Sequence, residues 1–297
     1  MAARGVLMVE PIGFASNPET QRDNAFQLAA AEGWLESVET SARAEFRKFR
    51  DALLERDVEV VTFAAQRDGS PDATFPNNWF STHRDGRVVV YPLKAENRRR
   101  ERRPEIVAYL NDRYDEIIDL SSAEERGQFL EGTGSLVIDD RERVVYASES
   151  SRTHSDLVHE WGRLFDVTPV LFTSHDREGR VVYHTNVVLS LGSEFAVVCL
   201  EAVDLSSRDN VRARLEHSGR ELIEITLDQM HEFCGNVLEL ENASGDRLVV
   251  GSSRAGRAFT DEQRSAIQKS VDFVAVSLDT IEKYGGGSAR CMLAELN

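Results

Sequence analysis

Residues 78–93 read NWFSTHRDGRVVVYPL, an apolar run, a polar turn and a second apolar run. That pattern predicts a β-hairpin, because two half-buried strands need a polar reversal between them. It recurs after Gly134 as SLVIDDRERVVYASES, after Asn186 as VVLSLGSEFAVVCLEAV and after Asn236 as VLELENASGDRLVVGSS. The unit starts lie 56, 52 and 50 residues apart. One further step of 55 lands on Cys291, where CMLAELN begins a strand that the chain never completes. The missing partner is VLMVEPIGF, residues 6–14, at the other end of the chain. Self-similarity at such a period is the mark of a repeat architecture, and a fifth unit closed by both termini predicts a ring.

Between the hairpins lie amphipathic segments that read as helices. The longest covers about residues 24–56, and others start near Arg102, Ser155, Ser206 and Thr260. Thr260-Asp261-Glu262 carries a capping hydroxyl and first-turn acids. Four further apolar strands are expected after helices, in VEVVTFA, TPVLFTS, ELIEITL and DFVAVSL. The unit is therefore β-β-α-β, five times over. A ring of such units gathers strand ends around a central channel and predicts one α/β domain over residues 1–297 with an axial site.

Composition narrows the function classes. Forty-one per cent hydrophobic and 29% charged residues suit a soluble globular protein. A net charge of −16 argues against nucleic acid and anionic membrane as partners. No apolar run approaches the roughly 20 residues of a membrane span, and MAARGVLMVEPIGF lacks the features of a secretory signal. A cytoplasmic location is the expectation. Cys199, Cys234 and Cys291 are odd in number and have no metal-type spacing, so neither a disulfide framework nor a zinc site is expected.

The repeat also selects candidate functional residues. At or just before the unit starts stand Asn77-Asn78, Glu131, His184, Cys234 and Cys291. Equivalent ends of repeated strands should converge on the axis. A thiol, an imidazole and a carboxylate meeting there form the constellation for nucleophilic catalysis. Cys291 would attack as a thiolate, His184 would move a proton near neutral pH, and Glu131, in FLEGTGS, would hold N–H groups or positive charge. Cys199 lies inside an apolar strand and reads as core. Cys234, beside Gly235-Asn236, is the second candidate thiol.

FPNNWFSTH, NRRRER, EGTGS, YHTNVVLSLG and GGGSARCMLAEL together resemble the superfamily of arginine deiminases, dimethylargininases and amidinotransferases, most closely its citrulline utilization hydrolase branch. The resemblance covers essentially the whole chain. It implies a fivefold pseudosymmetric α/β propeller, in agreement with the repeat. It also implies that Cys291 attacks the central carbon of a guanidino or ureido group. His184 then protonates the departing nitrogen and activates water to release a covalent thio-intermediate, while Glu131 grips substrate nitrogens. In PDATFPNN, Asp72 matches the first of two substrate-binding acids and Asn78 stands where the second would be. Arg98 and Arg152 match arginines that bind the substrate's α-carboxylate. No metal or organic cofactor is implied, the partner is a small amino-acid substrate, and a homodimer is compatible with the resemblance.

Two departures bear on the substrate. Arginine deiminases face the guanidinium with acids where this chain has Asn78 and Asn186. A guanidinium has only donors and a full charge, whereas a neutral ureido group offers a carbonyl acceptor and N–H donors, which amides complement. The expected reaction is hydrolysis of a citrulline-like amino acid to ornithine, ammonia and carbon dioxide. Arginine or methylarginine hydrolysis, amidino transfer and a catalytically silent binding propeller stand as alternatives.

Overall fold

The computed structural model describes residues 2–30 and 32–297. Met1 and Ala31, which fall in the N-terminal stretch and in the predicted long helix, lie outside the described residues. Strand β1 (Gly5–Glu10) pairs in parallel with β2 (Glu59–Ala64), with the helix Leu35–Leu54 between them in sequence. The next three sheets are β3 (Phe80–Thr82), β4 (Arg87–Val90) and β5 (Glu116–Asp119), then β6 (Val137–Asp139), β7 (Val144–Ser148) and β8 (Thr168–Phe172), then β9 (Leu189–Leu191), β10 (Phe195–Val198) and β11 (Glu221–Glu224). A fourth such set is β12 (Leu238–Glu241), β13 (Arg247–Ser252) and β14 (Asp272–Val276). Finally β15 (Ala294–Leu296) returns antiparallel to β1, with Val6 opposite Glu295.

Every sheet therefore has the same build: an antiparallel pair whose second strand also pairs in parallel with a strand reached through a helical connection. The fifth is assembled from both termini, as the spacing predicts. The five three-stranded sheets form the expected α/β arrangement. The middle strands are buried almost throughout, which is why they read as unbroken apolar runs such as VVV and FAVV.

Outer helices cover the sheets with one face each. The helix Leu35–Leu54 buries Val38, Ala42, Phe46, Phe49 and Leu53, a spacing of three to four residues that keeps them on one side. The helix Ser155–Phe165 buries Leu157, Val158, Trp161 and Phe165 in the same way. Each such side chain contributes about 1.5–3 kcal/mol on burial. Thr260 caps the helix Asp261–Gln268, its Oγ1 accepting from Gln263 N while the Gln263 side chain accepts from Thr260 N.

Two expectations need correction. The helix predicted over about 24–56 begins only at Leu35, after a 3₁₀ turn at Glu32–Trp34. The preceding residues form a loop instead: Asn24 Oδ1 accepts from Phe26 N, and Asn24 Nδ2 and Gln27 Nε2 donate to Gly286 O and Tyr284 O. Long-range bonds thus outcompete local helix formation. Strand β5 was not anticipated; EIID is short, with exposed acids at both ends. Among the described residues no helix is long and apolar enough to cross a membrane.

Candidate active site

The innermost strands β3, β6, β9, β12 and β15 each follow a short turn, and those turns carry the candidate residues. Asn78 ends the 3₁₀ turn Pro76–Asn78. Glu131 precedes the turn Gly132–Ser135, and His184 precedes Thr185–Val188. Cys291 lies in the 3₁₀ turn Ala289–Met292. The turns pack closely because glycine permits it. Gly132 has φ +48°, and a Cβ there would lie 2.2 Å from Asn77 O. A Cβ on Gly134 would meet Asn78 Nδ2 at 2.6 Å and the His184 ring at 2.7 Å.

Further along, the same five strands line a wider concavity of about 590 Å³, each contributing a residue: Thr82, Asp139, Ser190, Glu239 and Glu295. The candidate residues gather instead around a much smaller cavity lined by Asp72, Asn78, Arg98, Arg152, His184 and Cys291, among others. We place the candidate chemistry there, because Cys291 and His184 line it and do not line the wider space.

Within the small site, His184 Nε2 lies 2.8 Å from Glu131 Oε2. Burial alone would raise the Glu131 carboxyl, but Arg152, the His184 hydrogen bond and Arg98 outweigh it and hold the pKa well below the usual range. Burial dominates at His184 and lowers its pKa despite that anion. The pair is thus a carboxylate receiving a hydrogen bond from a neutral imidazole. Cys291 is 3% exposed, and burial pushes its thiol pKa up. Opposing this are the Ser288 backbone, Asn236, Arg290 and Asn186. Asn236 Nδ2 lies 3.3 Å from Cys291 Sγ, and Asn186 Nδ2 lies 3.7 Å away.

Asp72 Oδ2 accepts from Asn17 Nδ2 (2.8 Å) and Thr20 Oγ1 (2.9 Å), while Oδ1 is buried with no hydrogen-bond partner. Burial raises its pKa against the pull of Arg98. Arg98 is clamped: Nε and Nη2 grip Glu101 at 2.7 and 2.9 Å, and Nη1 donates to Asn78 Oδ1 at 2.8 Å. Asn78 Nδ2 in turn donates to Asn77 Oδ1. Arg152 is bonded through Nε and Nη2 to Asp23, lies 3.6 Å from Glu131 and sits over the Tyr183 ring.

Cys291, His184, Glu131, Asp72, Asn78, Arg98, Arg152 and Asn186 are therefore all in or against one site, whereas Cys234 is not. At the fourth unit start it is Asn236, not Cys234, that faces the thiol. Cys234 is buried against Ala255 O, with its pKa pushed up to about 12 by burial. Cys199 is likewise buried and raised to about 11. Sequence reasoning also missed Thr20, Asp23 and Asn24 of the N-terminal loop, Tyr183 beside His184, and Glu101. Asn236 had a usable signal, since it occupies the repeat position itself. Among the described residues no group of three or more His, Cys, Asp or Glu side chains could hold a metal ion.

No curated protein matches the sequence significantly. The N-terminal domain of ArgZ, an arginine dihydrolase from the ornithine–ammonia cycle in cyanobacteria, superimposes with a TM-score of 0.78 at 16% identity, over 98% of this chain and 97% of that one. AgrE in complex with L-arginine gives 0.78 at 18% identity, over 98% of this chain and 40% of that longer one. A dimethylarginine dimethylaminohydrolase trapped as an adduct with S-methyl-L-thiocitrulline gives 0.68 at 13% identity, over 99% of this chain and 100% of that one. At these identities the likeness speaks for the fold. The sequence profile described as N,N dimethylarginine dimethylhydrolase, eukaryotic, matches residues 10–297. The chain therefore belongs to the N,N-dimethylarginine dimethylhydrolase family, within the amidinotransferase and dimethylargininase superfamily.

Proposed function

We propose that this chain is a cysteine hydrolase that cleaves a C–N bond of a ureido amino acid, citrulline, giving ornithine, ammonia and carbon dioxide. The observation that carries the choice of ureido is the Asn78 amide, fixed by Arg98 Nη1 on its oxygen and by Asn77 on its nitrogen. A neutral group thus stands where the family resemblance expects a second acid, beside an arginine. A buried guanidinium placed there would meet Arg98 without a new carboxylate to compensate it; a ureido group brings no charge. On this reading residues 1–297 act as one catalytic domain on a small amino acid. The three buried free cysteines suit a reducing cytoplasm.

The steps follow from the side chains. Asp72 Oδ1, buried and unpartnered, accepts a substrate N–H. Arg152 and Arg98, committed through Nε and Nη2 to Asp23 and Glu101, supply positive charge for the α-carboxylate rather than a free fork. At rest Cys291 is a thiol and His184 neutral. The thiol loses its proton to the imidazole and the sulfur attacks the central carbon. Imidazolium is stabilised by the Glu131 anion and protonates the departing ammonia. The neutral imidazole then takes a proton from water, whose oxygen adds to the thio-intermediate. Collapse frees the thiol and a carbamate of ornithine, which loses carbon dioxide.

Arginine is the second reading, favoured by the acids Asp72 and Glu131 in the site and by the arginine named with AgrE and ArgZ. A product assay with citrulline, arginine and dimethylarginine in parallel, with Cys291→Ala as control, separates them. Ornithine and ammonia from citrulline support the proposal. Citrulline accumulating from arginine, with added citrulline untouched, overturns it.

A further inference from the structure

Glu282 is an acid that the steps above leave unused. It lies on the helix Asp279–Gly285 and is 1% exposed. Its Oε1 accepts a 2.6 Å hydrogen bond from Ser288 Oγ, while Oε2 has no hydrogen-bond partner. Burial raises its pKa to about 7. The other groups facing it are Ser252, Asp279 and Arg254, whose Nη1 is 4.0 Å from Oε2 and which is itself bound to Glu232. A buried carboxyl with half its acceptors idle costs stability; Ser288 Oγ supplies its 2.6 Å hydrogen bond, and the Ser252 hydroxyl also acts to lower its pKa.

Ser288 connects that acid to the thiol by two routes. Its carbonyl accepts from Cys291 N at 3.0 Å, opening the turn that carries the cysteine. Its backbone also acts to lower the Cys291 thiol pKa against the effect of burial. Between Glu282 and Ser288 runs the glycine strap Gly285–Gly287, which forms one wall of the small cavity. Gly286 O on that strap accepts from Tyr183 OH at 2.5 Å and from Asn24 Nδ2 at 3.2 Å. Asn236 and Asn186 reach the sulfur from other sheets, whereas Ser288 holds the cysteine's own turn from the end of the strap.

We propose that Glu282 is a positioning residue: by holding Ser288 Oγ it fixes the turn that the Ser288 carbonyl opens with Cys291 N and keeps the glycine strap against the cavity, and so sets how readily Cys291 reacts. The proposal rests on Cys291 as nucleophile but not on which substrate it attacks.

The test compares Glu282→Ala, Glu282→Gln and Ser288→Ala with the unaltered chain. Alkylation of Cys291 by iodoacetamide is followed by intact mass across pH, alongside kcat and KM for ammonia release. Losing the hydrogen bond that fixes this turn should slow alkylation at neutral pH about tenfold in Glu282→Ala and in Ser288→Ala. Its pH midpoint should move upward, and kcat should fall while KM stays within about threefold. Glu282→Gln keeps an oxygen for Ser288 and should recover most of the alkylation rate. Combining Glu282→Ala with Ser288→Ala should add nothing. Unaltered alkylation in Ser288→Ala, a Glu282→Gln as slow as Glu282→Ala, or additive losses in the double variant would each overturn the proposal. Should Glu282→Ala not fold, Glu282→Gln against Ser288→Ala decides alone. Failure on citrulline with a reactive, Glu282-dependent thiol sinks only the substrate reading; a Cys291 inert in the unaltered chain sinks the nucleophile itself.

Discussion

His184 Nε2 and Glu131 Oε2 stand 2.8 Å apart, both buried, with Arg152 and Arg98 closing on the same carboxylate oxygen at 3.6 and 3.7 Å. The two cations keep the carboxylate ionised where burial would protonate it. The ionised carboxylate gives His184 a fixed orientation and a counter-charge when it becomes imidazolium. Glu131→Gln retains a hydrogen-bonding group without the charge. We expect kcat to fall about 10²- to 10³-fold, the scale of a lost acid–base partner, while Tm changes little by comparison. Near-normal kcat would remove Glu131 from that role.

Opposed pKa shifts predict an unusual stability profile. Glu131 has a folded value below its unfolded 4.5, so its contribution is present above that pH and is lost as pH falls further. Glu101 and Glu282 are raised from 4.5 to about 7 by burial, so the folded state binds more protons than the unfolded state between those values. Their contributions therefore decline as pH rises from about 4.5 to 7. Urea midpoints should be higher on the acidic side of neutrality than at pH 8, and Glu282→Gln should flatten that slope. A slope unchanged by Glu282→Gln would show that Glu282 does not titrate in this window.

Gly132 joins two unit starts. Its φ of +48° and the 2.2 Å approach that a Cβ would make to Asn77 O leave no space for alanine without moving the Asn77-Asn78 backbone. Gly132→Ala should cost at least about 2 kcal/mol, combining left-handed strain with the clash, and should impair activity because Asn78 moves with it. A Tm equal to that of the parent would contradict this packing.

The repeat made Glu131, His184 and Cys291 legible because equivalent strand ends must meet when units share an axis. Their neighbours were legible only through the family resemblance, since nothing in the spacing of Asp72 or Arg152 points to the axis. What escaped depends on long-range closure. Thr20 and Asp23 lie just before the predicted helix, in a segment with no repeat position or motif, yet its bonds to Asp72 and Arg152 draw it over the site. Glu101 is three residues beyond Arg98 in a basic run that looks solvated, but both side chains are buried and paired. Cys234 and Asn236 are two residues apart, and only the turn geometry decides which one reaches the sulfur.

Asn78→Asp tests the substrate preference directly. The new carboxylate would face Arg98 Nη1, which now donates to the amide oxygen at 2.8 Å. It would add a negative charge to a site whose ureido preference is argued from that charge's absence. The ratio of kcat/KM for arginine over citrulline should rise by about tenfold or more, one new partly compensated charge contact being worth about 1.4 kcal/mol or more. An unchanged ratio would rule out Asn78 as the selector.

Asp23 carries the last prediction. It holds Arg152 through Nε and Nη2 and also bonds Lys94 and Ser151. Its pKa is lowered, as Arg152, Lys94 and Ser151 outweigh its burial. The loop that bears it carries Asn17 and Thr20 onto Asp72 and Asn24 onto Gly286, which leaves Cys291 only 3% exposed. Opening those contacts would widen access to the sulfur. Removing one charged anchor should therefore favour opening without touching the thiol's own donors, since Asp23 does not contact Cys291. Asp23→Asn should speed iodoacetamide alkylation several-fold, on the order of one charge-assisted hydrogen bond lost, and should increase proteolysis between residues 15 and 30. Both effects should appear with no ligand present. Alkylation at the parent rate, with unchanged proteolysis, would show that Asn17, Thr20 and Asn24 hold the loop without Asp23.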